Sequence, residues 1–289
     1  MTATAGRASG PEPIASRCLR VLVMQDWNSS LLAGLVLLSA QITPAFAHDL
    51  DGAGVKHAPV TTRGVVELFT SQGCNSCPPA DALLSDLAKR NDVVALAFHV
   101  DYWDYLGWRD TLASPENTAR QTAYRNAMKG SMIYTPQVIL NGRAQVNGNN
   151  AAAIRSGIAR MSDAPGGLTV PVSITRLDGE RIVIEAGSGP KPAAPVHLII
   201  AYFDDKAIVP IKGGENSGRS IIYRNAVRDI ETIGMWDGKP LRVEIPASEL
   251  AKKKASGCAV LLQEVSDDSR LGPILGASML RPPDISVIE

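Results

Sequence analysis

Cys74 and Cys77 sit two residues apart in "VELFTSQGCNSCPPADALL", residues 66–84. Two thiols at that spacing can do four things. They can clip a metal, hold copper, close a static disulfide, or exchange electrons as a redox pair. A structural zinc site needs four Cys or His ligands, usually as two spaced pairs, and the sequence offers no second pair. Cu(I) accepts soft thiolates, and Met128 and Met132 could assist, although methionines at that spacing suit an apolar helix face. A static bridge would close a very small loop, where cross-linking stabilises least. The redox reading fits the surroundings best. The pair follows an apolar run and precedes a helical pattern, so Cys74 lies near the positive end of a helix, which favours thiolate, the attacking species. Cys74 then attacks and Cys77 resolves.

The elements that must position the pair can be read along the chain. Gly64–Thr70 is a short, largely apolar run suited to a buried strand. Pro78 and Pro79 fit the first turn of a helix, and Ala82, Leu83, Leu84, Leu87 and Ala88 recur at helical spacing. Val93–Phe98 is a second buried strand, residues 114–130 are helical, and Tyr134–Leu140 is a strand entered through a proline. Asn141-Gly142 is a hairpin turn, and a further helix carries Ala153, Ile154, Ile158 and Met161. Strand, helix, strand, helices, hairpin and helix give a mixed sheet with helices on its faces.

Residues 162–167, SDAPGG, interrupt this pattern. Beyond them the texture alternates, with Asp178-Gly179 marking a hairpin between Leu168–Arg176 and Arg181–Ala186. Val196–Phe203, Ser220–Tyr223, Leu241–Ile245 and Ala259–Glu264 are further strands, while Ala226–Ile233 suits helix or strand. The expectation is an α/β domain over residues 63–163 followed by a β-rich, sandwich-like domain over 167–289.

Several other residues have the chemistry to contribute. Glu67 lies within the first strand, where a charge is costly unless paired or near water, and could serve as an acid or base. His99 and Asp101 end the second strand and could do the same, or could be a hydrogen-bonded core histidine and a turn cap. Tyr102, Trp103, Tyr105 and Trp108 could wall a peptide groove or pack inserted helices onto the sheet. Cys258 reads as a buried, inert thiol. Gly213–Arg219 is glycine-rich but has no strand–loop–helix context for phosphate, and reads as a long loop, a contact surface at most.

The N-terminus reads as an address. Residues 31–42, LLAGLVLLSAQI, form an uncharged apolar core, and Ala45-Phe46-Ala47 places cleavage after Ala47, with Arg17 and Arg20 as the basic region. Residues 1–47 are then a Sec-type signal peptide and 48–62 a linker, with Met24 an alternative start. The expected location is periplasmic or secreted, an oxidising compartment, with no stable membrane span after cleavage. Lys+Arg and Asp+Glu balance at 29 each, so the charge gives no reason to expect nucleic acid as a partner.

The order of elements, the "CNSC" pair and the "TP" that opens a strand turning back at "NG" resemble the thioredoxin fold over about residues 62–162. "VELFTSQGCNSCPPAD", "HVDYWDYLGW" and "TPQVILNG" resemble, more narrowly, the exported thioredoxin-like proteins of the domain of unknown function 1223 family. The resemblance implies a cis Pro136, preceded by Thr135, facing the cysteines; Tyr102 and Trp103 are the aromatic residues that could line a substrate groove with them. The expected partner is a protein substrate or redox partner, and no cofactor is expected unless the pair holds copper. The expected function is an exported thiol–disulfide oxidoreductase. The alternatives are a non-catalytic binding protein with a static disulfide, and a copper-binding protein.

Overall fold

The computed structural model describes residues 61–128, 132–163 and 167–282. The expected signal peptide, 1–47, and all but the last two residues of the expected linker, 48–62, lie outside the described residues. In chain order the elements are β1 (Gly64–Thr70), α1 (Pro78–Ala88), β2 (Val93–His99), a 3-10 turn (Asp104–Leu106), α2 (Pro115–Ala127), β3 (Gln137–Leu140), β4 (Ala144–Asn147) and α3 (Ala151–Asp163). They continue with β5 (Val172–Leu177), β6 (Arg181–Ala186), β7 (Val196–Pro210), β8 (Ser220–Trp236), β9 (Leu241–Pro246), α4 (Ser248–Lys252), β10 (Gly257–Val265) and β11 (Leu271–Leu280).

The fold is mixed α/β, with one eight-stranded sheet in the order β11-β10-β7-β8-β2-β1-β3-β4 and a three-stranded sheet, β5-β6-β9. Every residue of β1 and β2 is buried, which explains their continuous apolar sequences: both faces of the sheet are covered there. The two pair in parallel from Gly64↔Val93 to Thr70↔His99, across the α1 connection. β3 runs antiparallel to β1 and returns as β4 through Asn141-Gly142, whose φ values of 48° and 65° match the turn expected there. Asn141 Oδ1 also accepts from Val65 N at 2.6 Å, and its carbonyl accepts from Ile274 N at 2.9 Å, so the sheet curls until this turn meets β11.

Side chains alternate between the faces of β1. Val66 and Leu68 pack with Leu84 and Leu87 of α1 and Ile154 and Ile158 of α3. Val65 and Phe69 face the other way, into a core shared with Tyr124 of α2 and with Ile199, Leu261 and Ile274 of β7, β10 and β11. The opposite faces of β7 and β10, through Leu198, Ile200, Val260 and Leu262, pack on Ile174, Ile182 and Ile184 of the small sheet. The small sheet thus stacks on one end of the large one, where the sequence led to the expectation of a separate sandwich-like domain.

The break at residues 162–167 separates helix-rich from strand-rich sequence without separating two sheets. β8 joins β2 in parallel at Ala97↔Ala226, supported by Asn225 Nδ2 donating to Ala95 O at 2.7 Å, and the apolar core runs across the joint. The segment Ala226–Ile233, open between helix and strand in sequence, lies inside the 17-residue β8. Its Ala226 and Val227 are buried, while from Arg228 to Ile233 it is partly or fully exposed, which is why its sequence lacks a clean alternation. Among the described residues, no helix is long and apolar enough to cross a membrane.

Candidate functional site

Cys74 and Cys77 are joined by a disulfide, with Cα atoms 5.4 Å apart, at the junction of β1 and α1. Two tight turns shape the loop: Cys74 N donates to Ser71 O and Cys77 N to Cys74 O, each at 3.1 Å. Cys77 is the N-cap of α1, which therefore begins only at Pro78 and leaves Cys74 outside the helix. Pro78 and Pro79 have no N–H, and the next two amides, Ala80 and Asp81, both donate to Cys77 O. The helix end therefore points no free amide at Cys74. The polar partner of Cys74 Sγ is instead the Ser76 hydroxyl, 3.4 Å away.

Four segments close around this loop. Trp103 lies against Gly73, where an added Cβ would come within 3.1 Å of its own, and its indole N–H donates to Thr135 Oγ1 at 2.8 Å. The Thr135–Pro136 peptide is cis, as the resemblance implied. Gly148 bridges Pro136 to α1, since a Cβ there would sit 2.7 Å from Pro136 Cβ and 3.1 Å from Ala80 Cβ. Asn149 Nδ2 donates to Ser76 O at 2.9 Å. Asn216 Nδ2, from the β7–β8 loop, donates to both Gln72 O and Cys74 O at 2.9 Å. The result is an enclosed disulfide: Cys74 is 1% exposed and Cys77 0%.

A buried polar cluster lies on the α1 side of β1. Thr70 Oγ1 donates to Asp81 Oδ1 at 2.8 Å, and His99 Nδ1 meets Asp110 Oδ2 at 2.8 Å. The His99 ring stands edge-on to Tyr223, 4.6 Å between centroids. Among the described residues, three atoms of this cluster have no hydrogen-bond partner: Asp81 Oδ2, His99 Nε2 and the Tyr223 hydroxyl. Burial raises the Asp81 pKa to about 7, against the opposing pull of His99 and the Thr70 hydrogen bond. Burial works against the Asp110 carboxylate too, yet His99 and the amides of Gln72 and Leu112 outweigh it and hold its pKa below 3.8. Tyr223 is pushed far up by burial, with Asp81 and Asp110 adding to the shift.

The structure therefore gathers Cys74, Cys77, Thr135, Pro136 and Trp103 at one place, with His99 in the cluster alongside. Tyr102 is half-buried and packs near Trp103 with ring centroids 6.1 Å apart; burial raises its hydroxyl to about 12. Glu67 is placed elsewhere. It lies on the opposite face of β1, fully buried, in an ion pair with Arg120 at 2.7 Å and in a hydrogen bond from Tyr124. Asp101 Oδ1 accepts from Thr118 Oγ1 at 2.6 Å, a tie to α2 in place of the turn cap expected from sequence. Cys258 is buried in the sandwich core, where burial lifts its thiol to about 12. Met128 packs on the main core and Met132 is exposed. Among the described residues no three His, Cys, Asp or Glu side chains cluster as a metal site.

Residues 65–263 match the profile of a family described as a protein of unknown function, DUF1223. The chain belongs to the DUF1223 family. A crystal structure of a protein from Agrobacterium tumefaciens is 42% identical, with a TM-score of 0.70 covering 79% of this chain and 98% of that one. HBP35 of Porphyromonas gingivalis shares the fold at 12% identity, with a TM-score of 0.53 covering 76% of this chain and 75% of that one. A search of curated proteins found no match. The DUF1223 match runs from β1 into β10, so it takes in both the cysteine loop and Asn216.

Sequence reasoning missed Asp81, Asp110, Gln72, Asn149, Asn216 and Tyr223. Asp81 had a signal: Cys77, Asp81, Leu84 and Ala88 form one helical stripe, and the structure buries Asp81 and Leu84 on it. Gln72 ties the site together, taking Trp108 Nε1 on its side-chain oxygen at 2.8 Å and giving its backbone N–H to Asp110 at 2.7 Å. No local pattern marks that role.

Proposed function

We propose that this DUF1223 protein is an exported, thioredoxin-like thiol–disulfide oxidoreductase that acts on protein thiols or disulfides through Cys74 and Cys77. The observation that carries this reading is the bonded pair at the β1–α1 junction, set beside the Thr135–Pro136 loop through Trp103 and Gly148. In the oxidising direction a substrate thiolate attacks Cys74 Sγ and forms a mixed disulfide. The Cys74–Cys77 bond breaks, and its electron pair leaves on Cys77, which takes up a proton. A second substrate thiolate then attacks the substrate sulfur of the mixed disulfide and releases Cys74 as thiolate. The substrate loses two electrons and the pair gains them; the reverse sequence reduces a substrate disulfide. The Ser76 hydroxyl stands ready to hydrogen-bond the Cys74 thiolate in either direction.

The near-complete burial of both cysteines supports a second reading, a fixed disulfide beneath a binding surface. One titration separates the two. Equilibrated in glutathione buffers, a catalytic pair should titrate reversibly between about −270 and −120 mV. A pair still oxidised well below about −300 mV would leave the fixed disulfide standing. Cys77→Ser should trap mixed disulfides that Cys74→Ser does not.

A further inference from the structure

The β7–β8 loop brings a buried side chain onto the cysteine loop. Ile211 and Arg219 close it at its base, with Ile211 N donating to Arg219 O at 2.9 Å and Gly218 N to Ile211 O at 2.9 Å. Its tip rests on the loop around the 3-10 turn. A Cβ on Gly213 would sit 2.7 Å from Gly107 O, and one on Gly214, whose φ is +67°, 3.2 Å from Trp108 Cβ. Seated there, the loop delivers Asn216, 0% exposed, onto the disulfide loop. Arg219 Nη1 donates to Asn216 Oδ1 at 3.2 Å, which turns the amide so that both hydrogens of Nδ2 serve Gln72 O and Cys74 O.

A thiolate must reach a sulfur of the pair before exchange can begin, and access is part of that rate. With both cysteines enclosed, the segments around them control entry, and Asn216 is what fastens the β7–β8 loop to the cysteine loop. Moving Asn216 away bares two buried carbonyls, each of which is costly to leave without a donor.

We infer that Asn216 is a gate and a stand-in for substrate: it holds the two carbonyls beside Cys74 until a partner supplies N–H groups of its own. The inference rests on the redox reading above and narrows its substrate class. The partner is a protein thiol carried on an extended segment with free N–H groups beside the cysteine. Such a segment takes over the hydrogen bonds that Asn216 gives up, and a small thiol without donors does not.

Two measurements on the full chain test this. Reduction of the pair by tris(2-carboxyethyl)phosphine should run roughly tenfold faster in Asn216→Ala, the effect of losing its two buried hydrogen bonds. Gly213→Ala, which unseats the loop but keeps Asn216, should also react faster. Alkylation of buried Cys258 reports general loosening and should stay at the wild-type rate in both variants. Wild-type reduction rates in both variants, or faster reduction accompanied by faster Cys258 alkylation, would overturn the gate. A cysteine peptide should also reduce the wild-type pair faster than the same peptide N-methylated on its flanking amides; equal rates would overturn the partner class. These are rates, whereas the redox reading stands or falls on an equilibrium potential, so the two fail separately.

Discussion

Two buried polar networks flank β1, and they are built on opposite principles. On the α2 side, Glu67 pairs with Arg120 and Tyr124, Arg120 Nη2 donates to Gln263 Oε1 at 2.9 Å, and Gln263 Nε2 donates to Tyr124 at 2.8 Å. That network is closed. On the α1 side, Thr70, Asp81, His99, Asp110 and Tyr223 meet next to the cysteines, and three of their polar atoms have no partner. Buried polar groups are normally satisfied, so the closed network reads as architecture, whereas the open one holds polar atoms that no protein group among the described residues meets. A buried acid alone, as Glu67 appears in the sequence, does not tell the two apart; the partners do.

The sharpest way to break this contrast is at Arg120. Arg120→Leu strands Glu67 in the interior and should cost about 3–5 kcal/mol of stability, read from urea unfolding. A loss below about 1 kcal/mol would mean the network is not the closed unit described.

Asp81 comes next. Burial raises its pKa from 3.8 to about 7, so the native state holds this proton more tightly than the unfolded chain does. That contribution is complete below about pH 4 and is lost as pH rises through about 7, up to roughly 4 kcal/mol. Asp81→Asn removes the titration. Between pH 5 and pH 8 the variant should therefore lose less stability than wild type; matching losses would remove Asp81 from the open network.

The tyrosines give the smallest effects and the cleanest pairing. Tyr124→Phe deletes a hydroxyl that bonds Glu67, Arg120 and Gln263, and should cost about 1–3 kcal/mol. Tyr223→Phe deletes an unpartnered hydroxyl and should stay within about 0.5 kcal/mol of wild type. Equal losses in thermal unfolding would erase the distinction between the two networks.

What the sequence reveals follows the range of the forces involved. β1, α1, β2 and the turns at Asn141-Gly142 and Asp178-Gly179 rest on local periodicity and turn chemistry, and they were legible. So were the cysteine pair and the Thr135-Pro136 step. Asn216 was not, because it acts on Gln72 from 144 residues away through one side-chain amide, and nothing in a glycine-rich loop indicates where it lands. The joint of β8 with β2 was hidden for the same reason, since it depends on the single pair Ala97↔Ala226. For Glu67 the sequence supplied the need for a partner, and only the fold supplied Arg120.

That joint has a mechanical consequence. β1 and β2 are laced by seven residue pairs, whereas β2 and β8 share one. At this joint the union therefore rests on packing and single hydrogen bonds rather than on a backbone ladder: the shared apolar core, Asn225 on Ala95 O and Asn141 against Ile274 hold the two halves together. The cysteine loop follows β1 on one side of the joint and the Asn216 loop precedes β8 on the other, so the register between cover and sulfurs is kept by packing and by the two hydrogen bonds of one amide.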